Sequence, residues 1–160
     1  MTISIRPVTP DDVEALVALG LRAWAPVHAS MAAVLGPALN RRIYPDWAAS
    51  QADDIRHVCT DPETQTIVAE EDGQMLGFAA VVIHRDGVTG EVDMIATDPA
   101  EHRRGVGALL TERCLELLRA QGCTLAVIAT GGDDGHAPAR ALYESAGFTA
   151  LPLVRYYREL

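Results

Sequence analysis

Residues 91–110 read Glu91-Val-Asp-Met-Ile-Ala-Thr-Asp-Pro-Ala-Glu-His-Arg-Arg-Gly-Val-Gly-Ala-Leu-Leu110, and this stretch decides the fold. It begins as a strand, turns through a polar loop at Asp98-Pro99, and ends as a helix. The helix carries an apolar stripe at Val106, Leu109, Leu110, Cys114, Leu117 and Leu118, and Gly122 stops it. Two glycines, Gly105 and Gly107, stand at the helix start behind Arg103 and Arg104. The N–H groups of a first helical turn lack internal partners and lie at the positive end of the helix dipole, so they form an anion site. Glycines there leave room for a phosphate, and the arginines add charge; the chemistry asked for is binding of a pyrophosphate. A P-loop would need Gly-Lys-Ser/Thr, which is absent. A dinucleotide fingerprint would need a third small residue where Leu110 stands, and an acid ending the second strand, which Thr124–Thr130 does not offer.

Upstream, Ile3–Val8 reads as a first strand. Thr9-Pro10-Asp11-Asp12 opens a helix that continues with Val13, Leu16, Val17 and Leu21. Residues 24–58 are broken by Pro26, Gly36-Pro37 and Pro45 and are expected to form two short helices and a loop. Thr66–Glu70, Met75–His84 and Glu91–Thr97 are separated by turn residues and predict an antiparallel meander. Downstream, the run within Thr124–Thr130 suits a strand buried on both faces. A Gly/Asp loop, Gly131–Gly135, precedes a helix over about 137–146, and Phe148–Leu160 is expected to supply two more strands broken near Pro152. The pattern is α/β (α+β): a single domain, 1–160, with a mixed, mostly antiparallel sheet of about seven strands flanked by about four helices.

The chain has 160 residues, 49% of them hydrophobic, enough for one well-buried core. Its net charge of −9 disfavours nucleic-acid binding, which needs a basic face. The three cysteines show no paired spacing and the five histidines no ligand spacing, so neither a disulfide framework nor a metal site is expected. No apolar run approaches the roughly 18 residues of a membrane span. The N-terminus lacks the order of a signal peptide, so the expected setting is cytoplasmic.

A second motif, Ala139-Arg-Ala-Leu-Tyr-Glu-Ser-Ala-Gly-Phe148, follows 91–110 at a fixed distance. Together the two motifs resemble the GNAT acetyltransferases, whose coenzyme A loop has Arg or Gln, two residues, then Gly-x-Gly or Gly-x-Ala, and whose late helix reads Asn-x-x-Ala-x-x-Leu-Tyr-x-x-x-Gly-Phe. Gly105-Val106-Gly107 match the first. The family's Arg/Gln falls on His102 and its Asn on His136, two departures. The resemblance implies transfer of an acetyl group from acetyl-CoA to a primary amine by direct attack in a ternary complex, with no metal. Its alternative is a non-catalytic acetyl-CoA sensor. It implies coenzyme contacts at Ile95, Ala96, Thr97, His102, Arg103, Arg104, Gly105, Val106, Gly107, Ala108, His136, Ala139 and Tyr143. In that reading Tyr143 protonates the departing thiolate, and an N–H near Ile95 polarises the thioester carbonyl.

An amine attacks only when unprotonated, so a proton acceptor is required. Strand alternation puts Glu91, Asp93 and Ile95 on one face. Glu91, Asp93, or neither is the base; Glu91 occupies a position where many relatives carry a catalytic glutamate. The expected partner is a small-molecule or peptide amine, with neither nucleic acid nor membrane, and family analogy adds a homodimer through the C-terminal strands. The acceptor is expected against Trp24, His28, Tyr44 and Trp47, an aromatic segment in a chain with 5% aromatic residues.

Overall fold

A computed structural model describes residues 2–160. Its strands are β1 (Ser4–Pro7), β2 (Gln65–Glu71), β3 (Gln74–Ile83), β4 (Thr89–Thr97) and β5 (Leu125–Ile128). Its helices are α1 (Val13–Ile43), α2 (Trp47–Thr60), α3 (Val106–Ala120) and α4 (Ala137–Ser145). The sheet order is β1-β2-β3-β4-β5; the first four strands are antiparallel, and β5 runs parallel to β4. β2 and β3 meet through Asp72-Gly73, both at positive φ (50° and 80°), as a two-residue hairpin turn that follows the twist of its strands requires. The parallel step from β4 to β5 needs a crossover, and α3 supplies it.

The sheet has a core on each face. On one, Leu76, Ala79, Val81 and Val92 pack on Val106, Leu110, Cys114 and Leu118 of α3. On the other, Val68, Phe78 and Ala96 pack on Leu16, Leu19 and Ile55 of α1 and α2. An ion-pair clamp starts α1. Arg6 of β1 donates to Asp12 at 2.7 and 3.0 Å and to Glu70 of β2 at 2.8 and 3.0 Å, while the Thr9 N–H and hydroxyl also donate to Asp12. These bonds, the Arg6 guanidinium first, hold the Asp12 carboxyl well below its usual range against the opposing effect of burial.

Three expectations change. The helix does not stop at Pro26: the ring removes only the bond an N–H would make to Arg22 and the backbone stays helical there, whereas it leaves helical angles at Gly36 (φ 78°, ψ 163°), just before Pro37. Residues 24–58 therefore continue the first helix through Pro26 to a kink at Gly36, resume as a second helical segment to Ile43, break at Tyr44–Asp46 and end in α2, so the interruptions expected at Gly36-Pro37 and Pro45 are observed and the one at Pro26 is not. The sheet has five strands and not seven: Phe148–Leu160 forms none, and Leu151, Leu153, Val154 and Tyr156 are exposed. A strand needs a neighbour to satisfy its backbone groups, and among the described residues no strand pairs with the tail. Last, Glu91, Asp93 and Ile95 do not share a face. Val81 pairs with Val92 and Ala80 with Met94, which leaves Asp93 as the extra residue of a β-bulge. Glu91 lies opposite Val82, on the α1–α2 side, and Met94 packs there too; Ile95, opposite Ala79, packs on the α3 side.

Candidate active site

The parallel pairing of β4 and β5 runs from Thr89–Leu125 to Val92–Ile128 and stops there. Beyond Val92, β4 continues through Asp93, Met94, Ile95, Ala96 and Thr97 with β3 on one side only. Its other edge presents free backbone groups to a wedge, and the first turn of α3 stands at the mouth of that wedge. The bulge at Asp93 falls at the point of divergence.

At α3, the first bond to an earlier turn runs from Leu109 N–H to Gly105 O, at 3.0 Å. The amides of Val106, Gly107 and Ala108 are left for a ligand, the arrangement an anion needs. Gly105 is left-handed (φ 77°) and so is Arg103 (φ 68°). Only glycine takes that conformation without strain, which accounts for Gly105. Gly107 has a packing reason as well: a Cβ there would meet Leu142 Cδ2 at 3.1 Å and Thr97 Oγ1 at 3.7 Å, so its smallness lets α4 approach. His102 and Arg103 are exposed. Arg104 is engaged by Glu71 of β2 and by Glu101 at 2.6 Å, a brace for the loop. Asp98 bonds the Ala100 N–H at 3.0 Å and pairs with Arg22 of α1, tying the same loop to the other face of the sheet. Burial raises the Asp98 carboxyl, but Arg22 and that amide outweigh it and the net shift is downward.

Tyr143 lies on α4, buried, with its ring edge-on to Phe148 at 6.2 Å. Burial, with a smaller effect of Cys114, pushes the phenol up to about 12. Ala139 and His136 flank it toward the start of the helix. On the opposite wall, burial first, then Glu91 and Asp54, raise the Asp93 carboxyl, and His57 opposes them. Glu91 is joined to His84 Nε2 at 2.7 Å.

The acceptor segment divides. His28 stacks on Trp47 (4.4 Å, 15°) and meets Tyr44 edge-on (5.3 Å). Its Nδ1 is buried without a partner, and burial lowers its pKa. Trp24 is not with them; it packs on Phe78 at 6.3 Å, in the α1–α2 core. The sequence reading missed Ser30, Asp133, Arg22 and the acids that hold Arg104. Asp133 had a signal, its three-residue spacing from His136; Ser30 and Arg22 had none, because their partners lie 103 and 76 positions away. A concavity of about 430 Å³ between Gln65, Ile83, Arg85 and Gln121 contains none of these residues. No group of three or more metal-ligating side chains occurs among the described residues.

A family model for the acetyltransferase (GNAT) family matches residues 34–148. The chain belongs to the GNAT family. This GNAT chain is 34% identical over 128 residues to a mycothiol acetyltransferase of Beutenbergia cavernae, covering 75% of this chain and 42% of that protein. It is 28% identical over 156 residues to a mycothiol acetyltransferase of Clavibacter michiganensis subsp. michiganensis, covering 98% and 45%. The chain thus spans less than half the length of these relatives. Among solved structures, the PaiA N-acetyltransferase of Thermoplasma acidophilum in complex with coenzyme A aligns with TM-score 0.70 at 16% identity, over 93% of this chain and 91% of that one. An aminoglycoside antibiotic 6′-N-acetyltransferase of Acinetobacter haemolyticus aligns with TM-score 0.68 at 18% identity, over 98% of each. At such identities the likeness is one of fold, and the GNAT fold is the one observed here.

Proposed function

We propose that this chain transfers the acetyl group of acetyl-CoA to a primary amine of a small molecule. The carrying observation is the wedge between β4 and β5, with the free amides of Val106, Gly107 and Ala108 at its mouth. Those amides and Arg103 suit the pyrophosphate, and the free edge at Ile95–Thr97 suits the amides of the pantetheine arm. Arg104, committed to Glu71 and Glu101, holds the loop in shape rather than the phosphate. The fit is of charge and donor count: orphaned N–H groups and one unpaired guanidinium against a dianion. Tyr143 gives its proton to the departing sulfur.

The acceptor enters from the α1–α2 side. Asp93 and Glu91 on the sheet and Asp54 on α2 make that wall negative, which concentrates a cationic amine and orients its nitrogen toward the wedge. His28, Tyr44 and Trp47 offer the flat surface on which the rest of the acceptor rests. The names of relatives, acetyltransferases of mycothiol and of aminoglycoside antibiotics, support a small-molecule acceptor. The test is release of free thiol from acetyl-CoA over a panel of amines, with calorimetric binding of CoA measured alongside. CoA binding with amine-dependent release is expected; failure of CoA to bind refutes the site.

A further inference from the structure

Gly131–Gly135 and His136 form a hydrogen-bonded cluster with Ser30 of α1. His136 Nδ1 lies 2.5 Å from Asp133 Oδ1. The other carboxylate oxygen, Asp133 Oδ2, accepts from Ser30 Oγ at 2.6 Å, and Ser30 Oγ in turn accepts from the Gly135 N–H at 2.9 Å. Arg140 of α4 clamps the loop by donating to the carbonyls of Gly131 and Asp133 at 2.6 and 2.8 Å. The packing leaves no room for side chains at two positions. A Cβ on Gly131 would meet His136 Nδ1 at 2.5 Å, and one on Gly135 would meet Ser30 Cβ at 2.5 Å. Asp133 and His136 are nearly enclosed, with side chains 12% and 18% exposed.

This geometry fixes the imidazole. An ionised carboxylate only accepts, so Nδ1 carries the proton toward Asp133 and Nε2 is left with its lone pair. The ring lies near His28 of the acceptor segment, whose pKa is lowered by burial first and also by the charge of His136. Its loop follows the end of β5 and leads into α4, which carries Tyr143, while its partner Ser30 lies two residues from His28 in the acceptor segment. Glu91, the carboxylate that spacing suggested as base, is already bonded to His84.

We propose that His136, oriented by Asp133 and Ser30, is the proton acceptor for the attacking nitrogen. The inference rests on the acetyl-transfer reading above. The ammonium first gives one proton to solvent; the neutral amine then attacks the thioester carbonyl and a C–N bond forms, leaving a positive charge on nitrogen. His136 Nε2 takes the proton from that nitrogen. The C–S bond breaks with its electron pair on sulfur, and Tyr143 protonates the sulfur. His136 then returns its proton to solvent, and the Tyr143 oxygen regains one. The titratable groups that meet His136 are Asp133 on its own turn and His28 on α1, while Arg140 of α4 holds the backbone of the same loop.

Two readouts test this. The first needs no turnover: ¹⁵N-histidine spectra of the intact chain above pH 7 are expected to show His136 with Nδ1 protonated and Nε2 bare. An Nε2–H tautomer overturns the proposal whatever the activity. The second is the pH profile of kcat/KM for an accepted amine. His136→Asn should bind CoA as the parent does, lose about 10²–10⁴ in kcat and lose the acidic limb, with partial recovery in added imidazole for His136→Ala. Asp133→Asn should lower kcat and disturb the tautomer while leaving CoA binding unchanged, because the carboxylate that fixes the ring has been removed. If His136→Asn keeps the limb, or loses CoA binding in proportion to rate, the proposal fails. The same holds if Asp93→Asn alone abolishes the limb. A parent chain that binds CoA but releases no thiol with any amine refutes the acetyl-transfer reading, and this proposal with it.

Discussion

Tyr143→Phe separates chemistry from packing at one atom. The ring is 8% exposed and holds an edge-on contact with Phe148, and phenylalanine keeps both. The hydroxyl makes no hydrogen bond among the described residues, so its loss should change stability by less than about 1 kcal/mol, the net value of an ordinary hydrogen bond. For a domain of this size that is a shift of no more than about 2–4 °C in Tm. An acid acting on the leaving sulfur is worth about 10²–10⁴ in kcat, or about 2.7–5.4 kcal/mol of barrier. Activity should therefore fall far more than stability. The pH dependence has a definite sign. A phenol pushed up to about 12 stays protonated through the ordinary assay range. The parent should show no alkaline limb from Tyr143 below about pH 11, one unit under that value. The assay is thiol release under saturating acetyl-CoA, beside thermal melting. An unchanged kcat with chemistry shown to be the slow step, or a loss of rate matched by a loss of Tm, refutes the acid role.

Gly105→Val forces a β-branched residue into a left-handed position, which costs about 1–2 kcal/mol, and should weaken CoA binding by at least tenfold in calorimetry; unchanged affinity would remove the loop from the site. Arg103→Gln should raise the Kd for CoA and make binding less dependent on salt, whereas Arg104→Gln should chiefly lower Tm, because its partners are Glu71 and Glu101. Asp12→Asn should lower stability at pH 7 by about 1.5–3 kcal/mol, the range for hydrogen bonds to a charged group. Because the folded carboxyl titrates below its unfolded value, that contribution is complete above about pH 4 and fades as pH falls, so parent and variant melting curves should converge in acid. Trp47→Leu should raise the acceptor KM with little change in Tm, and Trp24→Leu should lower Tm, since only Trp24 rests on Phe78.

Local signals carried the parts of the chain where local physics decides. The α3 stripe, expected over 106–121, is observed at Val106–Ala120, and the three meander strands fall within a few residues of their expected spans. The hairpin turn at Asp72-Gly73 and the glycine at α3 were legible because positive φ has a residue preference. What was not legible depended on partners distant in sequence. The bulge at Asp93 is a register event between β3 and β4, invisible to alternation within β4, and it moved Ile95 to the other face. The tail has strand-like residues, but strand formation needs a neighbouring edge that no local pattern reports. Proline at position 26 looked like a stop because its effect on an isolated helix is large; packing of Leu16, Leu19 and Trp24 against the sheet carries α1 through it. The charge of Arg104 was legible and its ion-pair partner on β2 was not, since Glu71 is 33 positions away.

The most direct test of the account is the release of CoA thiol from acetyl-CoA as a function of added amine, in the parent chain and in Gly105→Val. Release should saturate with a cationic amine, vanish without it, and fall in the variant along with CoA affinity. Tight CoA binding with no release for any amine would make the chain a coenzyme-binding module, and release indifferent to Gly105→Val would place the acetyl donor somewhere other than the wedge between β4 and β5.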